Sequence, residues 1–471
     1  YVVGYTDSEF HDQSVTNNYY DRFTDGFIIK YDSTGNREWT KLLGGSSDDD
    51  IEGVVVAQDG SIYVTGDTNE GILGTGDAHQ GAGHISKYNS DGTKEWSQLI
   101  NSYQYDEADA ITVDKDGFIY VTGRTEGTFW DQRLQIAQEN QGSSDGFIAK
   151  YNSDGTNLWT QMFGSSKYDE SELIKISDDG SIYVAGGTEG DLGGQINNYD
   201  YSGFISKFDS TGNREWTKLT GHYVYSLEIG DNDSIYISGT NQAGNQFISS
   251  FNSVGDLITS EEFSSIEDIN THSIEDLTVS SDGSILFTGS SDESSYLARY
   301  NANSSDSWET SAANVYVPPA SSEPPSVGNI SGGEFRGNPE GNWIKTLDSE
   351  ESENNGRHSV DLYSLAIHGD YIYGWGEQEG TQGPGILVKH DINGNEIWRE
   401  SITDKSWIEG DWNRFSAEDI SISSDGSVYV VGSTRGYSSS WGVHEFNDQA
   451  IPNFDSREGF IIKYDSTGDR E

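Results

Sequence analysis

The chain has 471 residues, of which 33% are hydrophobic, 12% are aromatic and 56 are glycine; cysteine is absent and the formal charge is −52. That charge repels nucleic-acid phosphates and anionic lipid surfaces, which excludes nucleic acid as a partner. The lack of cysteine excludes disulfides and thiolate metal centres, and no apolar run is long enough for a direct membrane span.

Few aliphatics, many Tyr and Trp, and abundant Gly with little Pro suit short strands joined by tight turns rather than disorder. In chain order, an apolar strand closing on glycine recurs. Tyr1-Val2-Val3-Gly4 is a clipped copy, and Ile62-Tyr63-Val64-Thr65-Gly66 is a full one. It returns up to Gly123, Gly186, Gly239 and Gly289, then more weakly up to Gly376, and again up to Gly432. The closing glycines stand 50–63 residues apart, except for a step of 87 between Gly289 and Gly376.

A second motif is stricter: aromatic, Asp or Asn, two residues, Gly, three residues, Trp. It places Trp39, Trp96, Trp159 and Trp216 after Tyr31, Tyr88, Tyr151 and Phe208, and Trp398 after His390. In the fifth copy Thr259 replaces the Trp, and in the sixth, Tyr300 to Trp308, the Gly is lost. Asn and Asp bond their own backbone and Gly accepts positive φ, so the motif reads as a hairpin. Its outer strand packs the Trp ring on its own sheet or on the adjacent one; these five tryptophans are expected to be structural, with Trp39, Trp96, Trp159 and Trp216 mostly buried.

Each unit therefore predicts four strands. A smooth inner strand (Ala110–Val113, Leu173–Ile176, Leu277–Val279) leads through an Asp-Gly turn to the second; a variable loop precedes the third, and the Asx/Gly hairpin gives the outer. Such a period predicts an all-β fold, a β-propeller of four-stranded antiparallel blades, seven or alternatively eight in number, with under about 5% helix against a base rate near one third.

Residues 1–310 hold blades, the first lacking its inner strand; 342–471 hold further blades, the last lacking its outer strand. Between them 311–341, with Pro318-Pro319 and Pro324-Pro325, is either a long insertion in one closed ring or a linker between two propellers. The opening in mid-repeat reads as an excerpt or a processed piece. Its half-blades predict strand pairing between the two ends, or with other copies or a continuation of the chain as partners, in a filament or surface layer.

The run Asp179-Gly180-Ser181-Ile182-Tyr183-Val184-Ala185-Gly186, followed by Lys207-Phe208-Asp209-Ser210-Thr211-Gly212-Asn213-Arg214-Glu215-Trp216, resembles the bacterial seven-bladed β-propeller repeat family, SBBP. The resemblance covers nearly the whole chain apart from about 311–341 and the long loops. It implies a propeller embedded in a large secreted or surface-anchored bacterial protein, an extracellular setting and no common enzymatic activity.

Candidate chemistry lies in acidic connections from outer to inner strands, expected on one face of the ring. Asp48, Asp50, Asp106, Asp109 and Asp169 are the candidate calcium ligands, because calcium takes several oxygens in flexible geometry; solvated turns are the competing reading, and no cofactor is required. The long loops carry Tyr19, Tyr20, Phe129, Trp130, Trp441 and Phe446, expected either to meet surface glycans or proteins or to fold over blade edges. No zinc-binding helix, nucleophile elbow or phosphate loop is visible. The expected function is a non-catalytic structural or adhesive module. The alternative is a carbohydrate-binding or carbohydrate-active propeller, whose catalytic groups would converge at one mouth of the channel.

Overall fold

The computed structural model describes residues 1–6, 23–32, 37–45, 47–69, 81–131, 136–230, 233–263, 271–280, 282–291, 295–301, 335–337, 343–347, 360–378, 385–402, 412–423, 425–437, 444–446, 449–451 and 457–470. Among them there is no helix. Eight antiparallel blade sheets follow one another around the ring, the larger of the two blade numbers expected. Five have four strands, the sixth has five, and the first and eighth have three.

The second blade shows how the sequence builds a sheet. Its strands are Gly53–Val56, Ile62–Thr68, Ala82–Tyr88 and Lys94–Ile100. The first turn closes because Asp59 accepts the Ser61 N–H at 2.9 Å. The outer hairpin closes because the Asn89 side chain accepts the N–H groups of Asp91 and Thr93, at 3.2 and 2.9 Å. The third blade (Asp106–Val113, Ile119–Thr125, Asp145–Tyr151, Asn157–Phe163) and the fourth (Asp169–Ile176, Ile182–Thr188, Ser202–Phe208, Arg214–Leu219) repeat the plan.

The Trp motif marks one rung across each of these sheets. Tyr63 pairs with Lys87, which pairs with Trp96; the Lys87 ammonium lies 5.7 Å from the Tyr63 ring and 2.8 Å from Glu95. The Trp96 indole donates to the Ser153 carbonyl of the next blade at 3.3 Å. A Cβ added at Gly155 in that same turn would stand 2.9 Å from the Trp96 ring. Trp39 meets Ser90 and Gly92 in this way, and Trp216 meets Ser253 and Gly255. In the seventh blade Trp398 covers Gly468, and Lys389 donates to Ser466 at 2.7 Å.

The five tryptophans thus hold equivalent positions, and each packs on its own sheet; four of them also cover the next blade's turn. Three of the four expected to be mostly buried are less so. Trp159 is 4% exposed, whereas Trp39, Trp96, Trp216 and Trp398 are half-buried, because an outer strand leaves one ring edge facing water.

The two irregular copies resolve differently. In the fifth blade (Tyr223–Ile229, Ile235–Thr240, Gln246–Phe251, Leu257–Phe263), Thr259 takes the Trp place and its hydroxyl meets Ser250 at 2.8 Å, so the sheet stays regular. In the sixth (Thr271–Val279, Ser284–Ser291, Ser295–Asn301), the strand paired with Ser295–Asn301 is Trp343–Leu347, with Arg299 opposite Trp343. The expected hairpin at Trp308 lies outside the described residues. The seventh blade (Val360–His368, Tyr371–Gln378, Gly385–Asp391, Glu396–Ile402) is complete.

The first sheet is Val2–Thr6, Asp25–Tyr31 and Arg37–Leu43; the eighth is Trp412–Ile422, Val428–Tyr437 and Arg457–Tyr464. The core lies between blades. Tyr63 and Ile85 of the second meet Val121, Phe147 and Ala149 of the third, and comparable clusters fill the other junctions along the chain.

Replacing Trp159 by Ala should lower unfolding free energy by about 3–5 kcal/mol. Gly155 sits at φ +84° against Trp96, while Gly60 sits at φ +82° with nothing near its missing Cβ. Ala at Gly155 should therefore cost more than Ala at Gly60, where only backbone strain on the order of 1–3 kcal/mol applies. Denaturant midpoints of the three variants check this, and equal losses at the two glycines would disprove the inter-blade contact.

A carboxylate and tyrosine rim at the channel mouth

The acidic stretches read as connections are the first half of the inner strands, which begin at Asp106 and Asp169. They look unlike strands because each contains a β-bulge. The register slips between Glu107 and Ala110, Ser171 and Leu173, Val224 and Ser226, Ile274 and Asp276, Leu362 and Ser364, and Ala417 and Asp419. The second blade does the same, with Asp50 N–H bonded to Asp67 and Glu52 N–H to Thr65. The glycine that closes each second-strand motif permits the bulge: a Cβ at Gly66, Gly123, Gly186 or Gly239 would overlap the carbonyl oxygen of Asp50, Glu107, Glu170 or Tyr223.

At these bulges Glu52, Asp109 and Glu172 come from three neighbouring blades, and Tyr225 follows in the fifth. Asp50, Glu52 and Asp67 each bring a carboxylate oxygen to within 4.8 Å of the others, an all-oxygen donor set of the kind that suits a hard divalent cation. Asp50 accepts the Asp67 N–H at 2.8 Å, and Asp67 accepts the Ala108 N–H of the next blade at 3.0 Å. Glu52 and Asp109 lie close enough to act on each other, and both are held above the usual carboxylate range, first by burial and then by neighbouring carboxylates. Asp67 is pushed up to about 8, by burial first and then by Asp50, Glu52 and Glu107, with the Ala108 N–H opposing.

Arg124 is the cation set against this strip. It forms a two-pronged pair with Glu107, and its guanidinium lies 5.0 Å from the Tyr105 ring and 5.6 Å from that of Tyr168. The Tyr105 hydroxyl donates to Glu107 at 2.5 Å. In the fourth blade the Tyr168 and Tyr201 hydroxyls donate to Glu170 at 2.5 and 2.7 Å. Tyr201 continues into an aromatic group: its ring is 4.9 Å from Tyr223 and 5.7 Å from His222, and Tyr223 stacks at 6.2 Å on Tyr225.

The expected calcium ligands separate into two sets. Asp50 and Asp109 belong to the rim. Asp48 accepts the Thr24 N–H at 3.0 Å, Asp106 that of Ser102 at 2.7 Å and Asp169 that of Ser165 at 2.6 Å, so these three tie the chain at the turns entering their blades. Of the loop aromatics, Phe129 is buried against Phe147 at 5.4 Å, with ring centres edge to face. Of the two readings given for the loop aromatics it follows blade packing, as its short strand Phe129–Asp131 pairs with Ile136–Gln138. Tyr19, Tyr20 and Trp441 lie outside the described residues, as do the side chains of Trp130 and Phe446. The residues that sequence reading missed are Glu52, Asp67, Arg124, Tyr201, Tyr223 and Tyr225. The recurrent glycine was the available signal, because it marks where the inner strand bulges toward it.

Four-stranded antiparallel sheets stacked face to face around an axis define a β-propeller. Two stretches of the chain, residues 38–74 and 95–129, match the SBBP family, described as a beta-propeller repeat. Among curated proteins it is similar to the regulatory protein FlaEY of Caulobacter vibrioides, 26% identical over 183 residues, or 35% of this chain and 18% of that protein. It is also similar to the WD repeat-containing protein L264 of Acanthamoeba polyphaga mimivirus, 24% identical over 194 residues, or 34% of this chain and 14% of that protein. The chain thus matches less than a fifth of either relative's length. Among solved structures it is similar to the Dos1 propeller, at TM-score 0.45 and 12% identity, covering 85% of this chain and 78% of that one. Saccharomyces cerevisiae Sqt1 gives a TM-score of 0.46 at 8% identity, covering 89% and 94%.

The raised rim carboxyls have a measurable consequence. From the ordinary Asp value of about 4 up to about 8, folded Asp67 keeps a proton that the unfolded chain has released, so its contribution to stability falls as pH rises through that window. Asp67→Asn keeps an oxygen acceptor for Ala108 but removes the charge. Its melting temperature should exceed that of the parent near pH 8 by more than it does near pH 4. A difference that is the same at both pH values would exclude Asp67 as a strained charge.

Proposed function

We propose that the chain is a non-catalytic propeller module of a larger secreted or surface-exposed bacterial protein, presenting its channel rim to another protein or a surface glycan. The observation that carries this reading is how fully Glu107 and Glu170 are engaged. Glu107 is held by a guanidinium and a phenol, and Glu170 by two phenols. A carboxylate already bonded to a guanidinium or to phenols is not free to serve as the acid or base of a glycosidase. The SBBP match supports the bacterial surface setting. Adhesion and assembly belong to the same proposal, with other copies or a continuation of the chain adding a strand beside Val2–Thr6 or Arg457–Tyr464.

A carbohydrate-active propeller is the second reading, favoured by the convergence and raised protonation of Glu52, Asp67 and Asp109. Polysaccharides incubated with the parent chain and with Glu52→Gln separate the two readings. We expect polymer binding or none, and no released reducing ends from either protein. Reducing ends that appear with the parent and vanish with Glu52→Gln would replace the non-catalytic reading.

A further inference from the structure

We infer that the rim spanning the fourth and fifth blades docks an arginine-bearing segment of a partner protein, with Glu172, Tyr223 and Tyr225 as the receiving groups. The inference rests on the platform reading and names the partner's chemistry. The fold already shows how this rim accommodates a guanidinium, because Arg124 lies beside two tyrosine rings and in a two-pronged pair with a glutamate.

One blade further on, the position of Arg124, next after the bulge-facing glycine, is Gly187. A Cβ there would overlap the Tyr201 hydroxyl, so Tyr201 occupies the space of the missing cation and turns its phenol to Glu170. Glu172 is then left exposed at its bulge. Glu170 and Glu107 lie close enough to act on its carboxylate, so three acidic side chains share this part of the rim.

On the inner strand of the next blade, which packs against the one carrying Glu172, Tyr223 and Tyr225 keep 42% and 43% of their surface exposed, with rings nearly parallel at 12°. They stand on the inner strand of a sheet, so their placement costs a ligand little reorganisation. Carboxylates next to exposed aromatic faces, on a chain of charge −52, complement a cation. The planar guanidinium is favoured over ammonium because it stacks on the ring and pairs in a two-pronged way with the carboxylate.

Fluorescence anisotropy of a labelled hexa-arginine peptide, at near-physiological salt of about 0.15 M, tests the site on the whole chain. The double variant Tyr223→Ala/Tyr225→Ala and the single variant Glu172→Gln should each weaken binding about tenfold, a change of about 1.4 kcal/mol. Glu262→Gln removes the same charge from an exposed position on the fifth blade's outer strand and should stay within about twofold. Hexa-lysine should bind more weakly than hexa-arginine.

Equal weakening by Glu262→Gln and Glu172→Gln would reduce the binding to bulk charge and overturn the inference, as would indifference to the tyrosines. Binding of calcium but not of the peptide at the same carboxylates would overturn it as well. A chain that ignores the peptide yet captures a glycan or protein elsewhere would sink this inference alone and leave the platform reading standing.

Discussion

The carbonyl oxygens of Asp50, Glu107, Glu170 and Tyr223 lie where a side chain on the second strand would have to begin, and only glycine leaves them that room. This contact is the constraint from which the rim follows. It brings the inner strand close at the point where an extra residue must be absorbed, and the bulge turns that residue away from the ladder. What the chain places there decides the chemistry of the mouth: glutamate or aspartate in the second, third and fourth blades, tyrosine in the fifth. A backbone requirement repeated blade after blade thus fixes positions, while side-chain choice stays free to differ.

Cohesion is arranged the same way. Seven of the eight apolar clusters among the described residues are each shared by two successive blades, and the Tyr-Lys-Trp rung reaches forward to the next blade's turn. Stability then accumulates junction by junction, as in other repeat architectures. In the first, second and fourth blades the lysine of the rung sits beside an aromatic ring and pairs with a glutamate, which lets it lie on the sheet without an unpaired charge. The fifth blade shows that the rung is replaceable: serine and threonine hydroxyls span the same position with less area. The seventh and eighth blades add a bond of their own, from the Trp375 indole to the Val431 carbonyl at 2.8 Å.

Much of this was legible in the residues. Alternation gave the strands, the Asx/Gly spacing gave the hairpins, and the glycine steps gave the blades, because these are local patterns with local causes. What escaped was nonlocal or disguised. The acidic runs Tyr105-Asp106-Glu107-Ala108-Asp109 and Tyr168-Asp169-Glu170 read as loops because a bulge breaks the period of two and because carboxylates there face a channel rather than a core. Phe129 read as a loop aromatic, since its fold-back hairpin has no strong turn signal. The half-exposure of Trp96 and Trp216 depends on the next blade's turn covering one ring face, which no single repeat reveals. The convergence of Glu52, Asp109 and Glu172 needed three blades to be placed side by side.

The sixth blade carries a further implication. Its third strand ends at Asn301 and its fourth begins at Trp343, yet the two pair in register from Ser295–Leu347 to Arg299–Trp343. The cost of closing such a connection rises only with the logarithm of its length, by about 0.6 kcal/mol for each doubling. Evolution or an engineer can therefore lengthen the intervening sequence ahead of Phe335–Gly337, the sheet's fifth strand, at little thermodynamic expense. The propeller has a port at this blade, a place to graft foreign cargo.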